Sequence, residues 1–448
     1  MTRELVLGIL LEVTRDGEYS HIALRNVLNK YQYLDKKERA FITRVTEGTL
    51  EHMIEIDYII NQFSKVKVNK MKPVIRCILR SAVYQLKYMD SIPDAAVCNE
   101  AVKLATKKGF HNLKGFVNGV LRNIVRNMDN ITYPDEKDYI NYLSVKYSMP
   151  TWILEQWLSC YEKQMVETML SDFLKEKPTT IRCNLNQCSV EELTEVLEKE
   201  GVHVDKHPYL PYALWISSYN YLAELESFQK GMFYVQDISS MLVAHLAEPV
   251  NGNKIIDVCA APGGKALHIA ELLCGTGHVE ARDLTDYKVN LIQENILRAG
   301  VKNMSAKKWD ATDLDEDSLE TADIVIADLP CSGLGVLGKK TDLKYKMTEE
   351  VQKDLVELQR NILSKAQGYV KKDGTLIYST CTIHEDENMG NVHWFLKSFP
   401  EFELVSIREK LCDSLKESVQ EKGCLQLLPG IHESDGFFIA KFKKVKHG

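Results

Sequence analysis

The chain predicts an α/β fold: a doubly wound, Rossmann-like domain preceded by a small α+β subdomain and an all-helical N-terminal domain. Three observations carry that prediction. From about residue 235, strand-like apolar runs alternate with helix-period segments, the pattern of a parallel sheet with helices on both faces. Residues 1 to about 128 hold helical periodicity throughout, and 178–234 mix short strand-like runs with one helical stretch. A length of 448 residues also exceeds what one hydrophobic core usually supports. The expected boundaries are 1–130 for the helical domain, 131–177 for a helical connector, 178–234 for the small subdomain and 235–448 for the doubly wound domain.

Each element follows from its local pattern. The opening MTRELVLGILLEVTRDGEYS has the apolar start of a leader, but Glu4 and Glu12 interrupt it and no small-residue cleavage site follows. Its apolar positions recur at helical spacing, so it reads as the amphipathic first helix of a cytoplasmic protein. Helical patterns continue through MKPVIRCILRSAVYQLKYM and HNLKGFVNGVLRNIVRN, with Asp35, Pro73 and Pro93 near the breaks. MPTWILEQWLSCYEKQMVETMLSDFL extends the helices into the connector. A strand at TTIRCN and a helix at SVEELTEVLEKEG then open the small subdomain. The alternation beyond it runs NKIIDV and KALHIAELL, HVEARD and YKVNLIQENILRAG, DIVIADLP and VQKDLVELQRNILSKAQGYV, TLIYSTC and ENMGNVHWFLKSF.

Composition narrows the class. With 45% hydrophobic and 27% charged residues the chain reads as soluble and globular, and no uncharged apolar run approaches the ~20 residues that span a bilayer. The eleven cysteines are scattered without a CxxC, Cys183 and Cys188 being the closest pair, so neither a structural zinc nor a disulfide framework is expected. The net charge of −7 conceals an asymmetry: residues 1–130 hold 21 Lys and Arg against 14 Asp and Glu, leaving −14 on the other 318. Lys65, Lys67, Lys70, Lys72, Arg76, Arg80, Lys103, Lys107, Lys108, Lys114, Arg122 and Arg126 supply much of that excess. A basic module on an acidic chain suits a polyanion partner, although solvated helix faces account for the same run. No coiled-coil pattern is present, and a monomer is expected.

In a doubly wound sheet ligands bind outside the carboxyl ends of the strands, so the loops there are decisive. DVCAAPGGKALHIAEL takes a strand through a glycine-rich turn straight into a helix, where Gly263 and Gly264 let backbone approach a ligand and the helix start offers unpaired N–H groups. The spacing is neither GxGxxG nor a Walker loop, which disfavours a nicotinamide cofactor or a triphosphate. Asp283 ends the next strand, where a carboxylate can accept both ribose hydroxyls, and Asp310 follows MSAKKW within reach of an adenine amino group. Either Asp alone could equally be a cap or turn residue. Cys331 and Cys381 each end a strand-like run on the same side, where backbone N–H groups favour a thiolate. Cys77, Cys98, Cys160, Cys274, Cys412 and Cys424 read instead as inert core cysteines.

CAAPGGK, DLPCSGLG and STCTIHEDEN together resemble the motifs of the S-adenosylmethionine-dependent RNA cytosine-5 methyltransferases. LPGIHESDGFFIAKF resembles their C-terminal signature, and GMFYVQDISSMLVA the segment leading into their catalytic domain. The helical module with GFVNGVLRNIVR resembles the RNA-binding antitermination factor NusB, a combination typical of the bacterial 16S ribosomal RNA methyltransferases of the Fmu or Sun type. The resemblance spans essentially the whole chain.

The resemblance implies a cofactor, a partner and a site. S-adenosylmethionine would lie on Cys259, Ala260, Ala261, Pro262, Gly263, Gly264 and Lys265, with Asp283 at the ribose, Asp310 at the adenine and Asp328 beside it. Cys381 would be the nucleophile, Asp328 would hydrogen-bond the base, and Cys331 would assist release. The implied partner is 16S ribosomal RNA, with no membrane and no metal. Leu329 stands where the family usually has Ala and would narrow the base pocket, while Lys339, Lys340, Lys344 and Lys346 would hold phosphates or form a solvated loop. Lys265 would steer the donor's carboxylate or be a solvated first-turn lysine, and a surface role is expected for His384. A catalytically silent RNA-binding protein with a degenerate methyltransferase fold is the competing class, against which stands the presence of every group the chemistry requires.

Overall fold

The computed structural model describes residues 1–445. They form two compact units, one of Met1–Lys175 with Leu337–Met347, the other of Glu176–Val336 with the chain from Thr348 onward.

The first unit is helical. Helices α1 (Thr2–Thr14), α2 (Ser20–Lys30), α3 (Lys36–Glu51), α4 (Met53–Phe63), α5 (Pro73–Tyr88), α6 (Asp94–Lys107) and α7 (Lys114–Arg126) share one core that includes Leu10, Val45, Ile56, Ile78 and Leu121. Local chemistry sets their ends. The Asp35 carboxylate accepts from Glu38 N at the start of α3, and Pro73 occupies the first turn of α5, where its missing N–H costs nothing. Val117, Val120, Leu121 and Ile124 of α7 are buried at helical spacing, while Lys114 and Arg126 stay exposed. Helices α8 (Tyr139–Lys146), α9 (Thr151–Cys160) and α10 (Lys163–Phe173) follow in the same unit.

The second unit holds two sheets. Strands β1 (Thr179–Cys183), β2 (His203–Lys206), β3 (Ala213–Ser217) and β4 (Phe233–Val235) form an antiparallel sheet in the order β2-β3-β1-β4. Helix α11 (Val190–Lys199) starts at a capping box in which Ser189 and Glu192 satisfy each other's backbone N–H. Val235 thus closes this small sheet. After α12 (Glu226–Gln229) and β4, α13 (Ile238–Ala247) leads into the larger sheet.

That sheet contains β5 (Lys254–Asp257), β6 (His278–Asp283), β7 (Met304–Lys308), β8 (Ala322–Asp328) and β9 (Val370–Thr380), all parallel and ordered β9-β8-β5-β6-β7. Ile324 and Ile326 of β8 face one core and Val325 and Ala327 the other, the alternation of a sheet buried on both sides. Helices α14 (Gly264–Leu272), α15 (Asp286–Ala299), α17 (Glu349–Tyr369) and α18 (Met389–Ser398) supply the connections, and the short α16 (Leu343–Lys346) lies in the helical unit. The direction of winding reverses between β5 and β8, which makes the ends of these two strands a topological switch point.

The C-terminal part departs from the expected all-parallel sheet. Strand β12 (Phe437–Lys444) inserts antiparallel between β9 and β10 (Phe402–Leu404), and β11 (Cys424–Leu427) also pairs with it; the short helix α19 (Asp413–Lys416) precedes β11. FFIAKFKK alternates its two faces between the two cores, so the run is a central strand rather than a tail.

Candidate active site

The glycine-rich turn joins β5 to α14. Gly263 caps the helix with φ at +103°, a left-handed conformation that a side chain would strain, and the Ala261–Pro262 peptide is cis. Neighbours hold the turn in place: Asp283 Oδ2 accepts from Ala261 N at 2.9 Å, and Asn295 Nδ2 donates to Pro262 O at 2.9 Å. Ala260 N donates to the Arg282 carbonyl at 2.8 Å. The other oxygen of Asp283 accepts from Leu284 N and pairs with Lys288 at 2.9 Å. Asp283 therefore shapes the turn as well as facing it. Asp310 lies two residues beyond β7, and its carboxylate closes a local turn on the N–H and hydroxyl of Thr312 at 2.9 and 2.7 Å, which holds its pKa below the usual range.

Three ionisable groups cluster at the switch point. Lys265, in the first turn of α14, donates to Asp328 Oδ2 at 2.7 Å, and Ser379 Oγ donates to Asp328 Oδ1 at 2.7 Å. Ser379 stands opposite Asp328 in the β8–β9 register, which is why that contact forms. Burial alone would lower the Lys265 ammonium, but Asp328, then Asp257 and Cys381, outweigh it and raise its pKa. Asp257, fully buried at the end of β5, accepts from Cys259 N at 3.4 Å and leaves Oδ2 without a protein partner. Burial, followed by the nearby Asp328 charge, pushes its pKa from 3.8 up to about 8.

The Asp257 shift has a sign that can be measured. Between pH 4 and 8 the folded chain holds a proton that the unfolded chain has released, so this group's stabilisation is full below about pH 4 and is lost as pH rises towards 8. Asp257→Asn mimics the neutral acid and is expected to gain stability relative to the parent as pH rises from 5 to 8. Urea midpoints at both pH values check this, and a difference independent of pH would refute a neutral Asp257.

The two cysteines meet beyond β8 and β9. Their sulfurs are 3.2 Å apart, and Cys381 N donates to Cys331 Sγ at 3.3 Å. The hydrogen bond to Cys381 first, then burial and the Glu387 charge, push the Cys331 thiol well above its ordinary pKa. Cys331 thus holds its proton more tightly than a free thiol does.

Around them is a scaffold that sequence reasoning missed. Glu387, with no exposed surface, accepts from Ser332 N at 2.9 Å, Ser332 Oγ at 2.5 Å and Gln359 Nε2 at 2.9 Å, which fixes the loop after Cys331. Asn388 ties both neighbours of Cys381: its Oδ1 accepts from Thr380 Oγ1 at 2.6 Å, and its Nδ2 donates to Thr382 O at 3.0 Å. Gly335 N donates to Cys381 O at 3.1 Å, and a Cβ on Gly335 would stand 2.0 Å from Gly436 O. Only glycine permits that approach. Glu387 and Asn388 sit in an acidic run, HEDEN, whose composition resembles a solvated loop; their burial is a tertiary fact.

The structure brings Lys265, Asp328, Cys331 and Cys381 together with the turn Cys259–Gly264 and Asp283, whereas Asp310 is occupied in its own turn. Several expectations are corrected. Lys265 is not a solvated lysine. Leu329 is buried in the core that also holds Val325 and Ala327. His384 is buried beside Glu387, not on the surface. Lys344 and Lys346 lie in the helical unit, donating to the carbonyls of Glu51 and of Gly17 and Glu18, and burial lowers the Lys344 amine to about 7. Cys160 and Cys274 are exposed, and Arg80 is engaged with Asp57.

Comparison with known proteins gives this geometry its family. Residues 244–443 match the model of the family described as 16S rRNA methyltransferase RsmB/F, 1–126 match the NusB family, and 149–221 match the ferredoxin-like domain of RsmF/B-like methyltransferases. The probable ribosomal RNA small subunit methyltransferase B of Bacillus subtilis (strain 168) is 35% identical over 445 residues, 99% of this chain and 98% of that one. The chain belongs to the RsmB/F methyltransferase family. Its likeness to the Synechocystis protein described as a probable ribosomal RNA small subunit methyltransferase B is 31% over 99% of both chains. The crystal structure of PH0851 superposes with a TM-score of 0.83 at 27% identity, over 99% of this RsmB/F chain and 98% of that chain. That of NSun6 from Pyrococcus horikoshii with SFG gives 0.58 at 25% identity, over 65% and 97%. Among the described residues of this RsmB/F chain, no helix is long and apolar enough to cross a membrane.

Proposed function

We propose that this chain transfers a methyl group from S-adenosylmethionine to C5 of a cytosine in 16S ribosomal RNA through a covalent bond between Cys381 and C6. The observation that carries the reading is the pair of sulfurs 3.2 Å apart beside the Lys265–Asp328 ion pair, at the ends of neighbouring strands. Homologues named as small-subunit rRNA methyltransferases support the substrate class.

The residues at the turn fit the donor. Gly264 leaves backbone partly exposed at the helix start, Asp283 stands for the ribose hydroxyls, Asp257 offers an unpartnered buried oxygen, and Asp310 is assigned to the adenine. Cys259, Ala260, Ala261, Pro262 and Lys265 complete the cradle. When bound, S-adenosylmethionine supplies an electrophilic methyl group on a sulfonium.

Cytosine C5 is a poor nucleophile, which explains the thiol chemistry. Attack of the Cys381 sulfur on C6 breaks the C5–C6 double bond and puts electron density on C5. The Asp328 carboxylate accepts a hydrogen bond from the base's amino group beside N3, with Lys265 balancing the carboxylate charge. After C5 is methylated its proton leaves, the double bond re-forms and the Cys381 sulfur departs; Cys331 assists that release. C6 is reached only in an unpaired or extruded base, so the exposed Lys65, Lys67, Lys70 and Lys72 between α4 and α5 are assigned to RNA phosphates.

Calorimetric titration with S-adenosylmethionine tests the donor site. Asp283→Ala removes a carboxylate from both the ribose and Ala261 N, and binding is expected to weaken about tenfold or more. Titration without heat in the parent protein would favour a silent RNA-binding scaffold. Bisulfite mapping of 16S ribosomal RNA from cells lacking the protein tests the substrate: one cytosine should lose its protection.

A further inference from the structure

The cysteine pair has a second chemistry available. A disulfide needs sulfurs at about 2.05 Å, and those of Cys331 and Cys381 are already at 3.2 Å, a gap that side-chain rotation can close. Their backbones are not free to separate. Cys381 N donates to Cys331 Sγ, Gly335 N to Cys381 O, and Glu387 and Asn388 anchor the residues next to each cysteine. Both cysteines are half-buried, so a small solute can reach them. In the small subdomain Cys183 and Cys188 also approach one another, at 3.9 Å, and provide an internal comparison.

We propose that Cys331 and Cys381 form a reversible disulfide under a peroxide oxidant, which makes the paired thiols a redox-sensitive modification site. The Cys381 sulfur attacks one peroxide oxygen; the O–O bond breaks, hydroxide leaves and takes up the Cys381 thiol proton as water, and Cys381 becomes a sulfenic acid. The Cys331 sulfur then attacks the Cys381 sulfur, the S–O bond breaks, and the Cys331 proton leaves with the hydroxyl as water. In sum two thiols lose two electrons and two protons, and one hydrogen peroxide becomes two waters. A neighbouring thiol therefore intercepts the sulfenic acid before it reaches the irreversible sulfinic state. The disulfide goes beyond methyl transfer and rests on geometry; only its inhibitory effect rests on the proposed role of Cys381.

The experiment treats the full-length protein with hydrogen peroxide, blocks remaining thiols with iodoacetamide and maps peptides by mass spectrometry without reduction. The expected result is a Cys331–Cys381 cross-linked peptide pair, lighter by two hydrogens, that disappears with dithiothreitol while methyl transfer falls to background and returns. In Cys331→Ser, Cys381 is expected to reach the sulfinic acid, which dithiothreitol does not reverse. Recovery of alkylated Cys331 beside sulfinic Cys381 in the parent protein, or a cross-link at Cys183–Cys188 alone, overturns the proposal. A Cys331–Cys381 cross-link with methyl transfer unchanged would support the disulfide and refute the nucleophile assignment, so the two readings fail separately.

Discussion

Cys381→Ala is expected to lower single-turnover methyl transfer by on the order of 10⁴-fold or more, because deleting a covalent nucleophile removes the pathway itself. The same variant should form no covalent complex with RNA. Cys331→Ala should behave in the opposite way: bond formation to C6 proceeds, release slows, and a protein–RNA adduct that survives denaturing electrophoresis accumulates. The asymmetry rests on the cysteine environments. The hydrogen bond with Cys381, burial and the Glu387 charge all favour the protonated Cys331 thiol, which suits it to carrying a proton rather than to attack on C6. Labelled RNA and denaturing gels separate the two variants; if neither loses methylation, or if Cys381→Ala is the one that traps RNA, the roles are wrong.

The second large effect is expected at a residue that touches no substrate in the proposed chemistry. Glu387→Ala strands Ser332 N inside the protein and leaves Ser332 Oγ with Thr382 Oγ1 alone and Gln359 Nε2 with the Pro330 carbonyl alone, a loss of about 2–4 kcal/mol in unfolding free energy. Methyl transfer should fall with it at temperatures where the variant remains folded, because Ser332 follows Cys331 directly. Asp386→Ala is the control. Its carboxylate side chain is 74% exposed, and a change within about 0.5 kcal/mol is expected. Urea titration and methyl-transfer rates on both variants decide the matter: equal midpoints would mean that Glu387 does not hold the loop.

Much of the fold is legible in the chain because its causes are local. The four-residue β5 and the seven-residue β8 alternate between two cores, and the helices between strands carry their own start signals, such as Thr285 before α15 and Thr348 before α17. Strand β12 shows where local reasoning stops. Its alternation identifies a buried strand, yet nothing in FFIAKFKK states that it enters antiparallel between β9 and β10. Residues 337–347 show the same limit: they follow the Cys331 loop in sequence but cluster with the helical unit, where Asp342 accepts from Ser20 N and Oγ.

The sequence by itself determined the order of helical and α/β regions, the glycine turn, the strand ends carrying Asp283, Asp328, Cys331 and Cys381, and the motifs that name the family. Tertiary structure alone decided which of those groups touch. Cys331 and Cys381 are 50 residues apart, Lys265 and Asp328 are 63 apart, and Ser332 and Glu387 are 55 apart. Protonation belongs to the second category as well. A carboxyl or thiol reads the same in any sequence, but burial and neighbouring charge decide whether Asp257 and Cys331 hold a proton, and both arise only when distant segments pack together.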